Sequence, residues 1–135
     1  TKDTNIFYVK SVPHDWLFPH MAGAVHHGGA GTTATSLRHA LPTLVVPFGG
    51  DQPFWAERVY AAGCGPKAIP RDKLTAENLA EGLRALISNP EYTRNAACIG
   101  EALRNEHGCA NAADLIEKAV WDWENGNPAQ DGMNI

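Results

Sequence analysis

His26-His27-Gly28-Gly29-Ala30-Gly31-Thr32-Thr33 decides how this chain is read. The run reads as a strand end, a glycine turn and a helix start. Glycines let the backbone come close to a ligand. A helix N-terminus offers unpaired N–H groups and the positive end of its dipole to an anion. Such a turn can hold a phosphate, although a tight turn with no ligand has the same appearance. No Lys or Arg lies between Lys10 and Arg38. The spacing matches neither the G-x-x-x-x-G-K-[ST] loop nor the G-x-G-x-x-G turn. An anion here is therefore held by backbone N–H groups, hydroxyls, imidazole and the dipole. Hydrogen bonds to a charged group contribute roughly 1.5–3 kcal/mol each, against about 0.3–1 kcal/mol for the dipole. Hydrogen bonds dominate, and the expected affinity is micromolar or weaker. His26 and His27 are neighbours on a strand, so their side chains point to opposite faces. That argues against joint metal ligation, and His27, which abuts the glycines, reads as the ligand contact.

Working outward, strands are expected over 6–9, 23–26 and 42–47, with a brief extended stretch over 65–69. Ile6-Phe7-Tyr8-Val9 is rich in β-formers. Thr43-Leu44-Val45-Val46 is almost continuously apolar, as befits a parallel strand covered on both faces. One helical turn is expected over 13–19. Longer helices are expected over 32–40 with Thr32 as N-cap, and from Asp51 as cap to near Gly63, with Pro53 in the first turn. Three more follow. The first opens at Thr75, carries Leu79, Leu83, Leu86 and Ile87 on one face, and breaks at Asn89-Pro90. The second runs from Pro90 toward Glu106 and ends at Gly108. The third, 110–124, carries a core stripe of Ala112, Ile116, Ala119, Val120 and Trp123, with Trp121 off it as a candidate docking residue. Alternating strands and helices in the first half imply a Rossmann-like parallel α/β sheet with flanking helices. Residues 1–125 form the expected domain and 126–135 a flexible tail.

The 135 residues carry a net charge of −4, which leaves no electrostatic footprint for nucleic acid. No apolar run approaches the ~20 residues of a membrane helix. Residues 1–5 lack the regions of a signal peptide, and the chain starts at Thr1 and reads as a fragment. The three cysteines, Cys64, Cys98 and Cys109, lack metal or redox spacing and read as reduced thiols in a cytoplasmic setting.

A second junction, Pro47-Phe48-Gly49-Gly50-Asp51-Gln52-Pro53, also follows a strand, and ligands of parallel sheets bind beyond strand C-termini. Asp51 and Gln52 together can accept from and donate to vicinal sugar hydroxyls. The plainer reading is a helix cap beside a solvated amide. Near the start, the neighbours His14 and Asp15 cannot reach each other as a dyad. Trp16 reads as core, and His20, His39 and His107 as isolated packing or surface histidines.

Together these stretches resemble the donor-binding half of GT-B fold, UDP-sugar-dependent glycosyltransferases. They look most like fungal sterol 3-beta-glucosyltransferases and bacterial enzymes that glycosylate antibiotics. The resemblance rests on Val12-Pro13-His14-Asp15-Trp16-Leu17-Phe18, on residues 26–33, and on residues 42–53, and continues through the helices to about residue 120. It implies the C-terminal half of a GT-B fold lacking its first strands. It also implies that His27, Gly29, Ala30, Gly31, Thr32 and Thr33 bind the diphosphate and that Asp51 and Gln52 hold the hexose. Ser11, Val12 and His14 would lie at the uracil and ribose. Ser11 stands where a stacking Trp is usual, His14 where plant relatives carry Gln, Gly31 where Asn is usual, and Thr35 where a ribose-binding Glu is usual.

The function so implied is inverting transfer of glucose from UDP-glucose to a sterol 3-hydroxyl, without metal or cofactor. The base and the sterol acceptor site would lie in an N-terminal domain not in this chain, so no catalytic residue is nominated here and the chain alone should be inactive. Alternatives are a stand-alone UDP-sugar-binding subunit needing a partner, an enzyme for another lipid or natural-product acceptor, and a non-enzymatic nucleotide module. A dimer through an exposed sheet edge and a peripheral membrane contact of the whole protein are further expectations.

Overall fold

The computed structural model describes residues 5–126. The chain divides into two compact units, 1–104 and 105–135. The first holds a short helix α1 (His14–Leu17) and a 3-10 turn (Phe18–His20). Strand β1 (Ala24–His26), helix α2 (Ala30–Arg38), strand β2 (Thr43–Val45) and helix α3 (Gln52–Ala61) follow. A 3-10 turn (Arg71–Lys73) leads to α4 (Ala76–Ser88) and α5 (Pro90–Asn105). The strands pair in parallel, Ala24 with Thr43, Val25 with Leu44 and His26 with Val45. The expected α/β order is present, with a sheet of two strands among the described residues.

β2 shows why its sequence is so apolar. Successive strand side chains face opposite ways. Val45 packs with Leu37 of α2 and with Ala56 and Val59 of α3, alongside Cys64 and Ala96. Leu44 faces the other layer, where Gly82 of α4 leaves room for its methyls. All three β2 residues are buried. Burial pushes the Cys64 thiol up to about 11, with the nearby Cys98 adding to the shift.

Several expectations about elements need correction. Residues 6–9 are not a strand: Phe7 is 86% and Tyr8 93% exposed. β-propensity describes a surface that fits a sheet, and among the described residues no strand pairs with them. Residues 65–69 also fall short of a strand, although they run beside β2. Ile69 N–H donates to Val45 O (3.0 Å) and Arg71 N–H to Pro47 O (3.1 Å). A parallel ladder needs the reciprocal bond from residue 47 to residue 69, and Pro47 has no N–H.

On α4, Thr75 and Asn78 form a reciprocal capping box, and Leu86 is buried. Leu83 and Ile87 are exposed instead of packed. They sit about 40° and 80° round the helix from Leu79, away from the Gly82–Leu86 side that meets the sheet. Gly108 does not end α5, which stops at Asn105.

The second unit, described to residue 126, contains α6 (Gly108–Glu124), which Gly108 opens. No residue of α6 is buried, so the stripe of Ala112, Ile116, Ala119, Val120 and Trp123 is not core. A single helix has no second layer of its own in which to bury a face. Lys118 pairs with Asp122 at 2.5 Å along the helix. The tail expected over 126–135 lies outside the described residues beyond Gly126, as do residues 1–4.

Candidate functional site

Both glycine junctions leave the same end of the two-stranded sheet. The β1–β2 pairing continues past His26, whose carbonyl accepts from Val46 N–H at 2.8 Å. The chain then turns at Gly28, which is buried and has φ +87°. A Cβ there would stand 2.5 Å from Val45 Cγ1 and 3.3 Å from the Gln52 carbonyl oxygen. Only glycine fits, in conformation and in space. That same approach brings the second junction against the first.

α2 starts at Ala30, two residues before the expected start. Its N-cap is Gly29, in an extended conformation with no side chain to cap the helix. Thr32 is therefore not the cap but part of the first turn. Thr33 N–H makes the first helical bond, to Gly29 O at 2.9 Å. The N–H groups of Ala30, Gly31 and Thr32 have no partner within the helix. The Thr33 hydroxyl is buried with no partner in the protein. The exposed His27 ring lies over Gly29, its Nε2 2.5 Å from where a Cβ would be. The structure thus gathers His27, Gly29, Ala30, Gly31, Thr32 and Thr33 at one helix start. Thr35 is otherwise engaged, its hydroxyl donating to Gly31 O at 2.8 Å.

The His26 and His27 rings meet edge-on, centroids 6.2 Å apart and planes at 68°, so they do not stand on opposite faces as the strand alternation predicts. His26 Nδ1 accepts from Gly28 N–H at 3.0 Å. Its Nε2 is buried and without a partner, an arrangement that costs about 1–3 kcal/mol. Burial, with the His27 and His14 imidazoles nearby, pulls its pKa down from 6.5 to about 4. Its hold on the turn was not foreseen, although an acceptor two residues before a glycine N–H is a known turn signal.

The second junction turns at Gly50, φ +63°. Gln52 Oε1 folds back to accept from Phe48 N–H (2.7 Å) and Gly49 N–H (3.2 Å). That leaves the Gln52 amide NH2 to point elsewhere, so the expected mix of donors and acceptors is altered. Asp51 occupies the N-cap position of α3, but its side chain makes no cap bond. Its φ/ψ is helical (−81°, −5°), not the extended geometry that aims a cap at the next N–H groups. Asp51 Oδ2 accepts from Trp55 Nε1 at 2.9 Å instead, an i,i+4 pairing. Its other carboxylate oxygen has no hydrogen bond in the described structure. Pro53 sits in the first turn as expected.

Ser11 is exposed and Val12 half-buried on the chain leading into α1, and His14, exposed, opens that helix. His14 stacks on Phe18 (4.6 Å, 16°) and reaches toward His26 electrostatically. It makes no dyad with Asp15, whose carboxylate faces His39 Nε2 at 3.6 Å. His39 is therefore not isolated; its Nδ1 also meets Thr35 O at 2.9 Å. Trp16 is 63% exposed and meets His20 edge-on, so neither is as expected. α1 is too short and too exposed to bury an indole. Among the described residues no three His, Cys, Asp or Glu side chains are placed to hold a metal ion, and no helix is long and apolar enough to cross a membrane.

Comparison with known proteins adds the family context. A family profile described as erythromycin biosynthesis protein CIII-like, C-terminal domain, matches residues 3–117. Sterol 3-beta-glucosyltransferase UGT80B1 of Arabidopsis thaliana is 46% identical over 114 residues, 84% of this chain and 18% of the relative. Sterol 3-beta-glucosyltransferase of Pichia angusta is 43% identical over 111 residues, 82% of this chain and 9% of the relative. The crystal structure of glycosyltransferase VinC in complex with DTDP matches with a TM-score of 0.72 and 33% identity, over 76% of this chain and 26% of that one. Spinosyn rhamnosyltransferase SpnG matches in fold, with a TM-score of 0.76 at 22% identity over 85% of this chain and 31% of that one. The fold is that of the C-terminal half of a GT-B glycosyltransferase, as expected. The chain spans about a fifth of the plant relative and less than a tenth of the yeast one.

Proposed function

The chain belongs to the family of erythromycin biosynthesis protein CIII-like C-terminal domains, and from that premise we propose that it is the donor-binding domain of an inverting glycosyltransferase that moves glucose from UDP-glucose to a sterol 3-hydroxyl. One observation carries the reading. Two glycine junctions at the ends of adjacent parallel strands approach so closely that a Gly28 Cβ would stand 3.3 Å from the Gln52 carbonyl. Ligands of open α/β sheets bind at that end of the strands. The sterol acceptor is favoured by relatives with that activity at 43% and 46% identity.

The chemistry follows from the groups each junction leaves free. As the bond from glucose to UDP breaks, negative charge grows on the diphosphate. In this reading the N–H groups of Ala30, Gly31 and Thr32, the hydroxyls of Thr32 and Thr33, and His27 would stabilise it. Asp51 and Gln52 would orient the hexose, and Ser11, Val12 and His14 would border the uracil and ribose. This reading needs no metal and no cofactor. The base and the acceptor pocket would belong to another part of a longer protein; the chain spans only 18% and 9% of the two relatives compared. A membrane-borne sterol and a water-soluble donor can meet only at a bilayer surface. Peripheral contact of the whole protein with membrane follows from this reading, and a cytoplasmic location is proposed with it.

Calorimetry on the chain tests the reading, with UDP, UDP-glucose and dTDP as ligands. The expected dissociation constant for UDP is on the order of 10 µM to 1 mM, with no transfer by the chain alone. No heat from UDP at millimolar concentration, on folded protein, would sink the assignment. Tighter binding of dTDP would move the reading toward an enzyme with a different donor.

A further inference from the structure

We infer that His26 is a positioning residue for the diphosphate turn: its neutral imidazole clamps the Gly28 N–H and sets the glycine turn before any ligand arrives. The inference rests on the donor-binding reading above and deepens it. It starts from a histidine that the expected ligand contacts do not use.

His26 Nδ1 accepts from Gly28 N–H at 3.0 Å, across a separation of two residues. A nitrogen that accepts carries no proton, so the ring's single proton sits on Nε2. Nε2 is buried and has no hydrogen-bond partner in the protein. The ring thus gains nothing from its outer nitrogen, and a Leu or Phe would fill the same space without an orphaned donor. The bond from its inner nitrogen is what a hydrophobic residue could not supply.

The clamp has a clear geometric purpose. Gly28 is held at φ +87°, wedged between Val45 Cγ1 and the Gln52 carbonyl. Its N–H points inward to His26, so it is not among the donors offered to a ligand. Taking that N–H fixes the chain direction into Gly29, from which the donors of Ala30, Gly31 and Thr32 start α2. A turn ordered beforehand loses less freedom on binding. The titratable groups facing the ring are His27, the next residue after the strand, and His14, on α1. Both are cationic when protonated and disfavour a charged His26. Burial acts in the same direction, and the ring's pKa of about 4 keeps it an acceptor at neutral pH.

The same i to i+2 bond is made by an Asn side-chain oxygen in an Asx turn. That allows a test that separates clamping from filling space. H26N supplies an acceptor in a smaller side chain; H26L supplies bulk and no acceptor. Circular dichroism and urea melts first identify the folded variants. UDP titration should then show H26L about tenfold weaker than wild type and H26N within about threefold. H26L binding like wild type, or both variants weakened alike, overturns the inference. Nitrogen-15 NMR of the wild-type chain gives a reading that needs no ligand. A neutral His26 with its proton on Nε2, and a Gly28 amide protected from exchange, support the clamp. A proton on Nδ1 overturns it. If wild type binds no UDP, the donor-binding reading fails. The clamp is then judged by Gly28 amide protection, kept in H26N and lost in H26L if it exists, and unchanged in both if it does not.

Discussion

At the Gly28–Gly29 junction the helix donors are left open, whereas at the Phe48–Asp51 junction the backbone is already occupied. Gly29 brings no side chain to cap α2, and the N–H groups of Ala30 to Thr32 face outward unpaired by the helix. At the other junction Gln52 Oε1 takes the N–H groups of Phe48 and Gly49, Gln52 N–H goes to Gly49 O, and Pro53 has none to offer. Backbone donors and a helix dipole suit a charge; leftover side-chain groups, the Gln52 amide and one Asp51 oxygen, suit neutral hydroxyls. In the proposed site, a division of labour between phosphate and sugar would come from how each turn uses its own hydrogen bonds.

The sharpest way to break the comparison is to fill the first turn. Gly28→Ala places a methyl against Val45 and the Gln52 carbonyl at a positive φ. Strain of the left-handed backbone and overpacking together should cost about 2–5 kcal/mol. Urea unfolding reads the loss, and a change below about 1 kcal/mol would show that the turn relaxes freely. Gln52 divides the second junction next. Gln52→Ala removes both acceptor bonds and should cost about 1–2 kcal/mol. Gln52→Glu keeps an acceptor oxygen, so stability should stay within about 0.5 kcal/mol of wild type. It removes the amide donors, so UDP-glucose should lose affinity while UDP does not. Equal loss for both ligands would contradict a hexose contact.

Much of this architecture was legible, for reasons that can be named. The apolar run at Thr43–Val45 is buried on both faces by α2, α3 and α4 as a parallel strand requires. Thr75, Asn89-Pro90 and Pro53 punctuate helices through local chemistry. Other signals report capacity instead of outcome. Ile6 to Val9 and the apolar stripe of α6 could each line an interface, but burial takes a second element, which periodicity does not supply. The Asp51–Trp55 bond was readable from i,i+4 spacing, yet Asp51 invites the cap reading first. The approach of Gly28 to Gln52 joins residues 24 apart in sequence, and only the pairing of β1 with β2 reveals it.

Acid pH tests the first junction more gently. The folded His26 has its pKa lowered to about 4, whereas the unfolded residue stays near 6.5. Between those values the unfolded chain binds a proton that the folded chain refuses. This contribution to stability is therefore present above about 6.5 and is lost as pH falls toward 4. Urea midpoints of wild type and H26N at pH 7, 5.5 and 4.5, values on the order of the titration window, should diverge, with wild type falling more steeply. Parallel declines would assign the effect to the carboxylates both proteins share.

The smallest change asks whether the first junction uses a side chain at all. Thr33 is 3% exposed and its hydroxyl has no partner in the protein. The residue lines an apolar cavity of about 540 Å³ bounded also by Leu37, Trp55, Val59 and Leu103. Thr33→Val keeps the branched shape and removes the oxygen. Since no hydrogen bond is lost in the free protein, stability should be unchanged or higher by up to about 1 kcal/mol. Binding carries the opposite expectation. If the hydroxyl is held unpaired for the diphosphate, its loss should weaken UDP by about three- to tenfold, as for one neutral hydrogen bond. A variant that is more stable and binds UDP like wild type would leave the helix N–H groups and His27 as the holders of the charge. The contrast between the junctions would then be sharper, one built on backbone and the other on side chains. A variant that is less stable would show that the hydroxyl has a partner in the folded protein after all, and the Thr33 assignment would fall.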